Sequence, residues 1–272
     1  MPTMGGAQVD ALYSLFKGEP GLRKSTQALS YPTPQYWFSW DRKMSSLVLP
    51  MKKWGIDPKL ISYDDYDDWT APKKKLEQLQ LNCPFKTIIL DSITSMADMT
   101  LRQTTKMKYG MTRSSGKDAG KLIAGIAVNE IEDYNAESAA INELIALTKD
   151  IHSFHKVNVI LIAHVVQAEY RSTTNNTTHI SRQLVTAGKK VAAKIPAYCG
   201  EVYHFNIKKG FAEGQGGAYT LLTEHTGDDF ARTALELPRE IEFGDKPLYD
   251  TYIKPAITKL NTTETTQQPT KF

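Results

Sequence analysis

The most chemically specific run in the 272-residue chain is Gly18-Glu19-Pro20-Gly21-Leu22-Arg23-Lys24-Ser25-Thr26. A triphosphate can be gripped by backbone N–H groups wrapped around its β-phosphate. A lysine then reaches the β- and γ-phosphates, and a hydroxyl sits on Mg²⁺. Gly18 and Gly21 permit the turn, Lys24 supplies the cation and Ser25 the hydroxyl. The motif departs from its usual form at Arg23, where glycine is expected. If that position needs a positive φ, a side chain there costs roughly 1 kcal/mol. Arg23 then either points outward or adds a charge near the phosphates.

Further groups extend this chemistry. Ile88-Ile89-Leu90-Asp91-Ser92 is an apolar strand ending in a carboxylate, so Asp91 takes a Walker B position and orients Mg²⁺ through water. Asp41 follows the strand Tyr36–Trp40 and is placed to orient or deprotonate an attacking water, with Glu19 a lesser candidate. His164 ends the strand Val157–Ala163, where a polar side chain can sense the γ-phosphate and move the loop behind it. A cation from one subunit can complete a neighbour's site, and Lys208, Lys209 and Arg232 are the candidates for this trans role.

These groups need elements to hold them. Leu12–Phe16 reads as a short strand running into the glycine-rich turn, and a brief helix from about Lys24 is stopped by Pro32 and Pro34. Leu47–Trp54 reads as helix, Leu60–Tyr63 as a short strand before the acidic cluster Asp64–Asp68, and Pro72 as the opening of a helix. Residues 102–135 lack a sustained period and read mostly as loop with some helix. Asn135 is expected to cap a helix carrying Ile141, Leu144, Ile145, Thr148 and Ile151 on one stripe. Arg171–Ser181 reads as a mobile loop. Glu201–Lys208 and Ala218–Glu224 form a hairpin across Gly210–Gly217. Strands alternating with helices imply an α/β fold with a mostly parallel sheet, flanking helices and ligands at the carboxyl ends of the strands. One domain over residues 1–260 is expected, with a disordered Thr/Gln-rich tail over 261–272.

Composition sets outer bounds. With 41% hydrophobic and 23% charged residues the chain is an ordinary globular protein. Its apolar runs fall short of the roughly 20 residues that span a bilayer. No signal peptide is visible, and Cys83 and Cys199 make neither a disulfide framework nor a metal site, so a reducing cytoplasm is expected and no membrane partner. The net charge is only +3, but the cations are segregated. Arg102, Lys106, Lys108, Arg113, Lys117 and Lys121 face Asp118 alone; Arg171, Arg182, Lys189, Lys190, Lys194, Lys208 and Lys209 face Glu201 alone. Two such basic surfaces suit a polyanion.

Together these pieces resemble the RecA-like P-loop core, and in particular the small phage-encoded RecA-like ATPases related to single-strand annealing recombinases. The likeness rests on the phosphate loop, Ile88–Ser92, Ala163-His164, and Thr186-Ala187-Gly188-Lys189-Lys190 followed by Ile195-Pro196 and Glu201-Val202. It spans residues 10–240. It implies ATP and Mg²⁺ as cofactors, single-stranded DNA as partner, and a ring or short filament of identical subunits. A single-strand binding protein is a further candidate partner, in phage recombination or replication in the host cytoplasm. Lys106, Lys108, Arg113, Arg171, Arg182, Lys189 and Lys190 would neutralise DNA phosphates, with Tyr109 and Tyr170 as stacking platforms. Relatives usually carry Glu near Asp41, so Asp41 and Arg23 bear on turnover more than on nucleotide binding. An alternative is a hydrolytically weak module that uses ATP to switch assembly with a protein partner. A small-molecule kinase fits less well, since no arginine-rich lid follows an acceptor motif.

Overall fold

The computed structural model describes residues 8–111, 122–123, 126–127, 131–171, 178–185, 189–208, 217–227 and 229–263. Within these, the side chains of 106–111, 122–133, 168–171, 178–181, 189–191, 193 and 263 lie outside the description. In chain order the strands are β1 (Tyr13–Gly18), β2 (Gln35–Ser39), β3 (Ile61–Asp65), β4 (Thr87–Asp91), β5 (Leu122–Ile123), β6 (Ile126–Ala127), β7 (Asn158–Arg171), β8 (Thr178–Leu184), β9 (Glu201–Lys208), β10 (Ala218–Leu222) and β11 (Glu240–Glu242). The helices are α1 (Lys24–Leu29), α2 (Val48–Trp54), α3 (Thr70–Leu81), α4 (Ile93–Met111), α5 (Ile131–His155), α6 (Lys189–Tyr198) and α7 (Lys254–Thr263), with a π-turn at Tyr249–Ile253.

The main sheet runs β11-β10-β9-β1-β7-β4-β2-β3. From β9 to β3 every pairing is parallel, while β10 and β11 add antiparallel at one edge. This is the mostly parallel α/β sheet with a C-terminal hairpin that the alternation of elements predicts. β4 shows why: Ile88 and Leu90 bury on one face and Ile89 on the other, so the continuous apolar run needs helices on both sides. One face packs on α3 to α6 through Leu76, Ile93, Ile141, Leu144 and Ile195. The other packs on α1 and the C-terminal segment through Leu29, Leu248 and Ile253. Among the described residues no helix is long and apolar enough to cross a membrane.

Several elements differ from the sequence expectation. β1 extends to Gly18, so the phosphate loop begins within the strand itself. The acids Asp64 and Asp65 belong to β3; an exposed edge strand tolerates them, and Asp64 accepts the Tyr36 hydroxyl. Of the segment read as mostly loop with some helix, residues 102–111 are helical, as the end of α4. The Thr residues there are poor helix formers, but Thr100, Thr104 and Thr105 hydroxyls bond carbonyls four residues back, and Leu101 is buried. α5 begins at Ile131, which leaves Asn135 inside the helix and not at its cap.

Of the loop expected at Arg171–Ser181, the described ends, Arg171 and residues 178–181, are strand, and residues 172–177 lie outside the described residues. β7 continues through Arg171 and pairs antiparallel with β8, from Val165 opposite Leu184 to Arg171 opposite Thr178. Period-2 reading misses such a hairpin because each strand supplies the partner that makes the other stable. At the C-terminal side, α7 runs through Thr263, three residues into the segment expected as a disordered tail. Asn261 holds it in place by exchanging hydrogen bonds with the Val9 backbone, at 2.9 and 3.2 Å.

Candidate nucleotide-binding site

β1 leads straight into the loop. Gly18 lies opposite His164 of β7 and has φ +155°; a Cβ there would stand 2.6 Å from the Phe205 carbonyl oxygen, so only glycine fits. Gly21, at φ +84°, makes the turn, and buried Leu22 anchors it in the core beneath. Arg23 does take the left-handed conformation, at φ 62° and ψ 22°. Its guanidinium turns away from the lysine and binds the Gly244 carbonyl at 3.1 Å and the Asp245 carboxylate at 2.5 Å, lying over the Tyr219 ring at 4.1 Å. Of the two orientations open to it, the outward one is adopted.

Lys24 is 4% exposed. Its ammonium donates to the carbonyls of Gly18 (2.8 Å) and Glu19 (2.7 Å) and faces His164 Nδ1 at 3.3 Å. An ammonium has no lone pair, so Nδ1 must accept, and the neutral ring then carries its proton on Nε2. That nitrogen lies 3.8 Å from Asp41 Oδ2. Asp41 also accepts hydrogen bonds from Ser95 and, at 3.4 Å, from Ser92. His164 thus bridges the phosphate-loop lysine and the candidate base.

Electrostatics separate the two carboxylates. Burial pushes Asp91 up to about 6, and the charge of Asp41 adds to this against a hydrogen bond from Ser25 and the charge of Lys24. Burial also raises Asp41, but the His164 ring facing it, a hydrogen bond from Ser95 and the Lys43 charge outweigh it and bring it to about 2. Burial lowers Lys24 to about 8, against the pull of Asp91, Asp41 and Glu19. At neutral pH Asp41 is therefore a firmly ionised, weak base, while Asp91 keeps its charge by a small margin. A serine hydroxyl bonded to a carboxylate is an all-oxygen donor pair, the hard ligand set that suits Mg²⁺, and Ser25 with Asp91 would hold it.

Two clefts lie near the site, one beside the loop and one beyond Asp41. One, of about 390 Å³, lies along α1 and α2 and is lined by Thr26, Leu49, Pro50 and Trp54 among others. The other, of about 570 Å³, opens beyond Asp41 between Trp40, Tyr66 and Arg102.

Lys24, Ser25, Asp41, Asp91 and His164 come together at the carboxyl ends of β1, β2, β4 and β7. The remaining candidates do not join them. Arg232 caps the C-terminal end of α6, donating to the carbonyls of Pro196, Ala197 and Cys199, and does not join this cluster within its own chain. Lys208 pairs with Glu240 at 2.5 Å. Arg182 pairs at 2.6 Å with Asp229. The side chains of Lys106, Lys108, Tyr109, Tyr170, Arg171, Lys189 and Lys190 lie outside the described residues, as do Arg113, Lys117, Lys121 and Lys209 entirely. His164 is not the end of β7 but the last residue with a parallel partner, where the strand leaves the core sheet for the β8 hairpin.

Sequence reasoning missed Ser95, one turn into the helix behind Asp91, whose only signal was its place after Asp91-Ser92. It also missed Lys17, 2% exposed, which burial lowers to about 8 against the charge of Asp229. Asp229 is 3.4 Å from His204, and burial together with the Lys17 charge lowers that histidine to about 4. Only the fold brings these distant residues together.

A family model described as AAA domain matches residues 14–235. No curated protein matches the chain. Among solved structures, the chain is similar to a KaiC-like protein, PH0186, from the hyperthermophilic archaeon Pyrococcus horikoshii OT3. Identity is 13%, TM-score 0.43, and coverage 84% of this chain and 86% of that one. It is also similar to the RadB recombinase, at 14% identity, TM-score 0.44, and coverage of 90% and 92%. The family match spans most of the sequence and contains every residue of the converged site; the chain belongs to the AAA-domain family of nucleotide-binding ATPases.

Proposed function

We propose that the chain binds Mg²⁺-ATP at Gly18–Thr26 and hydrolyses it in the service of single-stranded DNA, in an assembly of identical subunits. The observation that carries the reading is the convergence of Lys24, Ser25, Asp91, Asp41 and His164 at one end of the sheet. The triphosphate lies along the loop amides. Lys24 exchanges the carbonyls of Gly18 and Glu19 for phosphate oxygens, which return it to its fully charged form. Mg²⁺, where bound, neutralises developing charge on the phosphates. Asp41 orients the attacking water, and its position is fixed by Ser95 and His164.

His164 gives the site an outlet. It touches Lys24 and Asp41 with its ring and begins the β7–β8 hairpin with its backbone, bonding Val185 at 2.9 Å. The two basic segments begin in α4 and in this hairpin, and such cation-rich runs suit a DNA backbone. A role in phage recombination or replication follows from the sequence resemblance.

Turnover measured with and without single-stranded DNA, beside a Lys24→Ala variant, tests this. Turnover stimulated by DNA and abolished in the variant supports it. Tight ATP binding without turnover on any nucleic acid overturns it in favour of a nucleotide-switched assembly module, a reading that the low basicity of Asp41 favours.

A further inference from the structure

Arg23 is a strained residue with a full set of partners. It occupies a left-handed backbone position inside the phosphate loop, which glycine would adopt without penalty. Its guanidinium is nonetheless fixed from three sides: by the Tyr219 ring, the Gly244 carbonyl and the Asp245 carboxylate. Asp245 also takes Lys53 of α2 on its second oxygen at 2.6 Å, and its backbone carbonyl accepts from Trp54 at 3.1 Å. The same C-terminal segment grips α1. The buried Gln27 amide donates to the Lys246 carbonyl at 3.1 Å and accepts from the Leu248 N–H at 2.8 Å, and Ser30 accepts from the Tyr249 N–H at 3.0 Å. This segment lies beyond residue 235, where the family match ends.

We propose that Arg23 is a positioning residue of the nucleotide site, and that its clasp to Asp245 holds the phosphate loop in its binding shape. The C-terminal segment thereby becomes a working part of a site whose family signature stops short of it. The inference rests on the loop being a triphosphate site, as proposed above. It goes beyond that reading in assigning a role to a residue that the motif does not require, and to a partner more than 200 residues away in sequence. Arg23 does not itself touch the phosphates; it acts through the backbone of the loop it belongs to. Both side chains of the clasp are partly exposed, at 36% and 61%, so the contribution is modest and screened by salt.

The test is affinity for two probes, Mg²⁺-ATP and inorganic tripolyphosphate with Mg²⁺. Asp245→Asn keeps the backbone bond to Trp54 and the shape of the side chain while removing its charge. If the clasp positions the loop, Asp245→Asn and Arg23→Gly each weaken both probes about threefold to fivefold, the scale of an exposed ion pair. The double variant is then no weaker than either single one. Arg23→Lys keeps the charge but loses the planar fork over the Tyr219 ring, so its affinity falls between those of the parent protein and Arg23→Gly. In turnover the loss falls on KM more than on kcat. Melting temperatures of the variants serve as the folding control. Loss of ATP affinity with tripolyphosphate unaffected overturns the proposal, because Asp245 would then be contacting the nucleoside. Unchanged affinity for both probes overturns it too, as does tighter binding by Arg23→Gly. Equal ATP affinity in the parent and Lys24→Ala instead removes the nucleotide site itself, an outcome separate from any failure of the clasp.

Discussion

Lys24 and Arg23 are adjacent in sequence and meet opposite environments. Lys24 turns inward, to loop carbonyls, His164 and the field of two carboxylates, where burial has already taken part of its basicity. Arg23 turns outward, to an exposed carboxylate and an aromatic face on the far side of the loop. The inner network is small and largely buried, drawn from the ends of β1 and β4, the end of the parallel stretch of β7 and the starts of α1 and α4. The outer one is solvated and drawn from three separate segments. The contrast shows where loss of one group is costly: inside, each partner left behind keeps an unpaired buried charge, while outside water takes its place.

The largest expected effect is on the inner side. Lys24→Ala should lower ATP turnover by at least about a hundredfold, since one cation is lost from a site that excludes water. Asp91→Asn should have an effect of similar size. Asp41→Asn should cost about tenfold to a hundredfold in kcat, and a smaller loss would show that Asp41 is a spectator to the reaction. Steady-state kinetics under saturating Mg²⁺ distinguish these outcomes.

The next prediction concerns pH. A raised carboxylate pKa means that Asp91 gains its charge only above about 6, and a lowered amine pKa means that Lys24 loses its charge above about 8. Because kcat/KM reports the free protein, its profile should be a bell with limbs near those two values. The acid limb should vanish in Asp91→Asn, and a flat profile in the parent protein would contradict the electrostatic account.

How much of this was readable beforehand differs between the two sides. The inner site was almost wholly legible. Gly18, Lys24, Ser25 and Asp91 sit in a contiguous motif and at the end of an apolar strand, and strand ends in a parallel sheet must converge. Asp41 and His164 were legible by the same rule. The outer clasp was not, because nothing in the local pattern around Asp245 refers to Arg23; only a folded chain brings them together. The place of Arg232 was not legible for a related reason. As a cation beside a strand it looks available, but the end of α6 leaves carbonyls that need a donor, and Arg232 supplies it. The β7–β8 hairpin escaped because its strands stabilise each other across polar sequence.

Two smaller effects sharpen the comparison. Gly18→Ala should destabilise the protein by roughly 1–3 kcal/mol, because the new methyl group meets a backbone oxygen that cannot give way. Thermal unfolding would show it, and an unchanged midpoint would mean the loop relaxes freely. Arg232→Ala should cost about 1 kcal/mol of stability while leaving ATP affinity within about twofold. A loss of turnover with normal stability would instead restore this residue to a role in a neighbouring site.

The most direct test of the central claim is calorimetric titration of Mg²⁺-ATP into the parent protein and Lys24→Ala. The account predicts saturable one-site binding to the parent and a loss of at least about a hundredfold in the variant. Absence of binding to the parent, or the same affinity in both, would contradict it.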